Sequence, residues 1–139
     1  MIWIGIDTGT HTGLAVWDDT KNKLLEVDTL PIHKALDKVK QYKNEGCDLL
    51  VIFEDARQRK WFGKGTRQAI DAKAQGAGSV KRDCAIWEDF LTDEGIAFRA
   101  VPPMIRGTKL KPDFFVKLTG WKGRTSNHAR DATMLVFGK

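Results

Sequence analysis

Two stretches constrain the fold of this chain more than any others. Residues Ile2 to Asp7, within "MIWIGIDTGTHTG", and the segment "CDLLVIFED" are apolar almost throughout and lack the alternation of a strand with one wet face. Such runs read as strands buried on both faces of a sheet. Each ends on an acid: Asp7 in the first, Glu54 in the second, with Asp55 directly behind it. A carboxylate that closes a buried strand is costly unless it has a partner, so both strand ends demand a reason. Asp55 is expected to be a solvent or cap residue, because alternation sends it to the face opposite Glu54.

The segments around these runs supply the other elements. "LAVWD" and "LLEVDTL", separated by the polar "DTKNK", predict two further strands joined by hairpins, with Gly9 and Gly13 as turn residues ahead of them and Pro31 closing the antiparallel set. "HKALDKVKQYKNEG" carries Leu36, Val39 and Tyr42 at helical spacing and stops at Gly46. A helix between two buried strands is a crossover, which makes those strands parallel; if they are neighbours, Asp7 and Glu54 meet at one sheet edge. Arg57 to Gly78 is polar, basic and glycine-containing and predicts a mobile loop running into a helix with Val80, Cys84, Trp87 and Leu91 on one stripe. "IAFRAVPP" predicts a strand, "KPDFFVKLTG" a short helix with Pro112 in its first turn, and "TSNHARDATMLVFG" a last helix capped by Thr125 or Ser126. The 139 residues therefore read as one α/β domain, residues 1–139.

Charge narrows the partners. The net charge is +5 and unevenly spread. Arg57, Arg59, Lys60, Lys64, Arg67, Lys73, Lys81 and Arg82 face a single acid, Asp71, and Arg106, Lys109, Lys111, Lys117, Lys122 and Arg124 face only Asp113. Two clusters of one sign in a small domain point to a polyanion, with nucleic acid the first candidate. No apolar run is long enough to span a bilayer and no signal-like segment opens the chain, so a cytoplasmic protein without a membrane partner is expected. Cys47 and Cys84 have no C-x-x-C pairing and read as small core residues. Trp3, Trp17, Trp87 and Trp121 read as packing residues, and His11 and His33 as structural.

His128 is different because Asp131 follows three residues later on the predicted last helix, so both project from one face. Asp7, Glu54, His128 and Asp131 converging without countercharge would be costly unless cations sit among them. Two hard divalent ions about 4 Å apart, able to activate water and stabilise a leaving oxygen, are the chemical purpose of such a set. "GIDTGTHTG" also resembles the first phosphate loop of actin-like ATPases and sugar kinases, but those need two domains to close on a nucleotide, and that reading leaves Glu54 and "NHARDA" without a role. In "AQGAGSV", Gly76 and Gly78 lack the G-K-[ST] of a P-loop and predict close helix packing instead, at a dimer interface or within the chain.

"IGIDTGTHTGLAVWD", "LLVIFED", "AKAQGAGSVKRDCAIWEDFL", "TKLKPDFFVKLTG" and "NHARDA" occur in the order and spacing of RuvC-type Holliday junction resolvases of the RNase H-like superfamily, which the chain resembles over nearly its whole length in a compact, phage-like version. The resemblance implies an RNase H-like fold: a five-stranded mixed sheet, its first three strands antiparallel, with helices on both faces. It implies a homodimeric endonuclease that nicks four-way DNA junctions with two Mg²⁺ ions, for which Mn²⁺ can substitute, in recombination, repair or phage DNA processing. The catalytic and metal-binding set becomes Asp7, Glu54, His128 and Asp131, with His128 either a ligand or a proton handler. Lys109 and Lys111 are implied to lie near the scissile phosphate; the family's aromatic wedge three residues after the acidic strand end is Arg57 here, with Trp61 or Phe62 further on to stack at the junction centre. From the charge clusters, Arg57, Arg59, Lys60, Lys64 and Arg67 are expected to contact DNA. A flap or RNA/DNA-hybrid nuclease of the same fold, and a nucleic-acid-binding module that does not cleave, are the alternatives.

Overall fold

The computed structural model describes residues 1–58, 66–103 and 109–139, and for 67–77 the helical backbone only. The elements follow the order β1 (Ile2–Asp7), β2 (His11–Asp18), β3 (Lys23–Pro31), α1 (Ile32–Asn44), β4 (Leu49–Glu54), α2 (Arg67–Asp93), β5 (Phe98–Val101), α3 (Pro112–Thr119) and α4 (Asn127–Val136). The strands make one five-stranded sheet in the order β3-β2-β1-β4-β5. β1 runs antiparallel to β2 and parallel to β4, β2 antiparallel to β3, and β4 parallel to β5. The α/β class and the mixed sheet with its first three strands antiparallel are as expected.

The central position of β1 explains its composition. Ile4 and Ile6 point to one face, where they pack with Val51 and Phe53 of β4 against Ala35 and Val39 of α1 and Cys84, Trp87 and Leu91 of α2. On the opposite face Ala15, Trp17 and Ile52 pack against Phe115 of α3 and Ala129, Ala132, Leu135 and Val136 of α4. A strand covered by helices on both sides has no wet face to make polar. The Cys84–Trp87 stripe is thus buried within its own chain.

Two local readings are corrected. The stretch from residue 67 to 78 is the first part of α2, not a loop. Gly76 and Gly78 cost about 1 kcal/mol each relative to Ala, but Gln68, Ala69, Ala72, Lys73, Ala74, Gln75 and Ala77 are strong helix formers and continue a helix whose later turns are anchored in the core. A Cβ at Gly78 would meet nothing within 4 Å, so close packing inside the chain does not account for that glycine. Gly13, expected in a turn, sits within β2 opposite Asp7. It is there for a helix, as described next. Gly120, at φ 71°, ends α3 in the left-handed conformation that Cβ disfavours.

Candidate active site

The site begins with two missing side chains. A Cβ on Gly5 would lie 2.1 Å from the backbone oxygen of Ala132, and one on Gly13 2.0 Å from that of His128. The hydrogen atoms of these glycines let the backbone of α4 lie directly on β1 and β2. The helix start is fixed as well: the Ser126 hydroxyl accepts the Ala129 N–H at 3.1 Å as N-cap and is hydrogen-bonded to the Thr29 hydroxyl of β3. Alternation along β1 puts Asp7 on the same face as Gly5, under the first turn of that helix.

The result is a contact between the two ends of the sequence. Nδ1 of His128 lies 2.8 Å from Oδ2 of Asp7, the ring N–H donating to the carboxylate. Asp7 keeps only 16% of its side chain exposed. Burial pushes its pKa up; the hydrogen bond and charge of His128 and the charge of Lys109 pull it back, while Asp131 pushes it further up. Asp131, three residues along α4, is itself held by Lys109, whose Nζ lies 3.1 Å from Oδ2. An ammonium thus sits on the second carboxylate of the set.

Glu54 ends β4 beside β1, and alternation with Leu50 and Ile52 places it on the α4 face too. Its backbone is pinned from the other side of the sheet. The Thr8 hydroxyl donates to the Glu54 carbonyl at 3.1 Å, and the buried Cys84 thiol of α2 lies 3.3 Å from that hydroxyl and 3.7 Å from the same carbonyl. Burial pushes the thiol pKa up, so it stays a neutral hydrogen-bonding group. Cys84 is the core residue the sequence predicted, with the added task of tying the ends of β1 and β4 to α2.

Arg130 was missed, because an arginine in "NHARDA" reads as surface. It is 5% exposed. Its guanidinium donates to the carbonyls of Leu110 (2.9 Å) and Thr125 (2.8 Å), to Thr125 Oγ1 (2.9 Å) and to Asn127 Oδ1 (2.5 Å). It therefore locks the segment carrying Lys109 and Leu110 onto the start of α4. Arg130→Met is expected to lower stability by about 3 kcal/mol in urea denaturation, since buried carbonyls lose a charged donor. Arg130→Lys should rescue little, because one ammonium cannot reach these acceptors as a planar fork does.

The remaining candidates fall in different places. Asp55 is buried and accepts from the Arg57 backbone N–H at 3.0 Å, Nε at 2.8 Å and a terminal nitrogen at 3.0 Å. It caps the short turn Ala56–Gln58 as expected, but it is not solvated, and the Arg57 guanidinium holds its carboxyl below the usual range. Arg57 also pairs with Glu88 of α2, so its charge, expected to meet DNA, is engaged by two carboxylates within the chain. Arg59, Lys60, Trp61, Phe62 and Lys64 lie outside the described residues, as does the side chain of Arg67. Lys111 is exposed just ahead of α3, and His11 and His33, expected to be structural, are both exposed.

Among the described residues no three His, Cys, Asp or Glu side chains close into a ready cage for a metal ion. The donor chemistry nonetheless fits a hard divalent cation: a buried carboxylate whose negative charge is under-compensated, a second carboxylate near enough to raise its pKa, and an imidazole, all at one strand end. Among the described residues no helix is long and apolar enough to cross a membrane. Compared with known proteins, the chain matches no protein-family model and no curated protein.

Proposed function

We propose that this chain is an RNase H-like nuclease of the RuvC type that hydrolyses phosphodiesters in branched DNA, four-way junctions foremost, and acts as a cytoplasmic homodimer in recombination, repair or phage DNA processing. The observation that supports this most is the Asp7–His128 contact at the end of the central strand, with Asp131 beside it and Glu54 ending the neighbouring strand. Asp7, Glu54 and Asp131 would hold two Mg²⁺ ions, for which Mn²⁺ can stand in. Bound, such ions lower the pKa of the attacking water and neutralise charge on the phosphate. Asp7 orients the His128 ring through Nδ1, which leaves Nε2 to ligate or to carry a proton. Lys109 neutralises Asp131 in the absence of metal and is positioned to turn to the phosphate when a cation replaces it. The net charge of +5 draws the polyanion toward a site that would otherwise repel it.

The test is cleavage of a synthetic mobile four-way junction, a linear duplex and a flap, each with Mg²⁺, Mn²⁺ or chelator. Paired symmetric nicks confined to the junction and dependent on metal are expected. Metal-dependent cleavage of the flap alone would move the assignment to another nuclease of this fold. No cleavage of any substrate would overturn it in favour of a non-cleaving nucleic-acid module, in which the Lys109–Asp131 pair is permanent.

A further inference from the structure

The outer face of α3 is the feature that the cleavage site leaves unexplained. Among the described residues the exposed large hydrophobic side chains are Met1 and three on this one helix: Phe114 (58% exposed), Val116 (41%) and Leu118 (42%). The helix has eight residues and buries Phe115 alone. Phe114 and Leu118, four apart, lie side by side with Lys117, three from Phe114, next to them, and the exposed Lys111 enters the helix at its N-cap, one turn before Phe114. Exposed apolar groups rimmed by charge mark contact surfaces.

We propose that this face of α3 is a docking platform for single-stranded DNA, in which a base stacks on Phe114 beside Leu118 while Lys111 and Lys117 take the flanking phosphates. Charge complementarity selects this occupant. A second copy of the chain would bring Lys111 and Lys117 against their own kind, whereas an unpaired nucleotide offers a flat apolar face for the ring and an anion for the lysines. The only acid between residues 109 and 124 is Asp113. The segment leading into α3 carries Lys109, bound to Asp131, so chain continuity links the platform to the candidate site. The proposal rests on the nucleic-acid part of the reading above and not on cleavage.

The experiment is fluorescence anisotropy, with chelator present, of a labelled oligothymidylate and of an abasic sugar-phosphate strand of equal length. Phe114 is on the surface, so its replacement leaves the core intact. Phe114→Ala is expected to weaken oligothymidylate binding by about 5- to 150-fold, the range that one lost base stack gives. Phe114→Trp should retain it, and abasic binding should be the same in all three proteins. Equal loss for both strands, or none for either, overturns the platform while leaving nucleic-acid binding intact. Failure of the wild type to bind either strand at low salt overturns the nucleic-acid reading itself. Sedimentation showing a dimer that Phe114→Ala dissociates, or anionic vesicles that bind the wild type and not the variant, would replace DNA with a second copy or a lipid surface.

Discussion

Asp7→Asn is expected to abolish metal-dependent cleavage and, in the same preparation, to raise the melting temperature. The first effect follows from the position of Asp7, the carboxylate of the set that is both buried and bonded to His128. Losing a partner of a metal ligand already costs 10- to 100-fold in typical sites, so losing the ligand itself should cost more than about 100-fold. The second follows from its raised pKa. The folded chain binds the Asp7 proton more tightly than the unfolded chain does, so the contribution of Asp7 to stability is fullest at low pH and is lost as pH rises from the ordinary carboxylate range through its raised folded pKa, opposite in sign to that of carboxylates such as Asp55. At neutral pH the charge is a burden on the fold, and the neutral amide lifts it.

Three measurements separate the parts of that prediction. Thermal melts in chelator should show the variant more stable at pH 7, with the difference shrinking toward pH 4. Added Mg²⁺ should raise the wild-type melting temperature and leave the variant unmoved, because only the wild type gains a cation for its anion. A variant less stable than wild type at pH 7 in chelator would show that the His128 contact outweighs burial. Cleavage that survives in the variant would remove Asp7 from the reaction.

Gly13→Ala is expected to be the most destructive substitution of a single small residue. The added methyl carbon would stand 2.0 Å from a backbone oxygen, which no rotamer change can relieve. Either α4 lifts from β2 or the strand is pushed from its register, at a cost of about 3 kcal/mol or more. That is a large part of the 5–15 kcal/mol on which a domain depends. Gly5→Ala meets the Ala132 oxygen at 2.1 Å and should behave alike. Urea denaturation reads the loss. At urea concentrations where Gly13→Ala still folds, cleavage should also fall, since His128 rides on the displaced turn. Serving as control, Gly78→Ala, with open space around it, should stabilise slightly through helix propensity.

The strands were legible because burial on both faces leaves an unmistakable apolar run, and β1 and β4 are such runs. Asp7 at a strand end and the His128–Asp131 pair at helical spacing were each legible through a local rule, while their meeting rested on the family resemblance and needed the fold to bring it about. Gly13 was not, since a glycine that admits a helix and a glycine that makes a turn look identical in sequence. The first half of α2 was obscured by Gly76 and Gly78, whose penalty is local while the compensating anchor, Trp87, is remote. Arg130 was hidden because charge predicts exposure, and only the fold supplies the carbonyls that allow a guanidinium inside; the pairing of Arg57 with Asp55 and Glu88 was hidden because Glu88 lies on a distant helix. The exposure of Phe114 and Leu118 was equally invisible, because an apolar residue in a helix is expected to face inward.

Asp7 and His128 stand 121 positions apart in the chain. Closing so much chain carries an entropic cost that the docking of the final helix must offset. A chain with its sheet formed but its final helix undocked has no Asp7–His128 pair. If the last helix is also the first to fray on heating, activity will vanish below the temperature at which the sheet melts. The candidate site is then a sensor of the integrity of the whole domain.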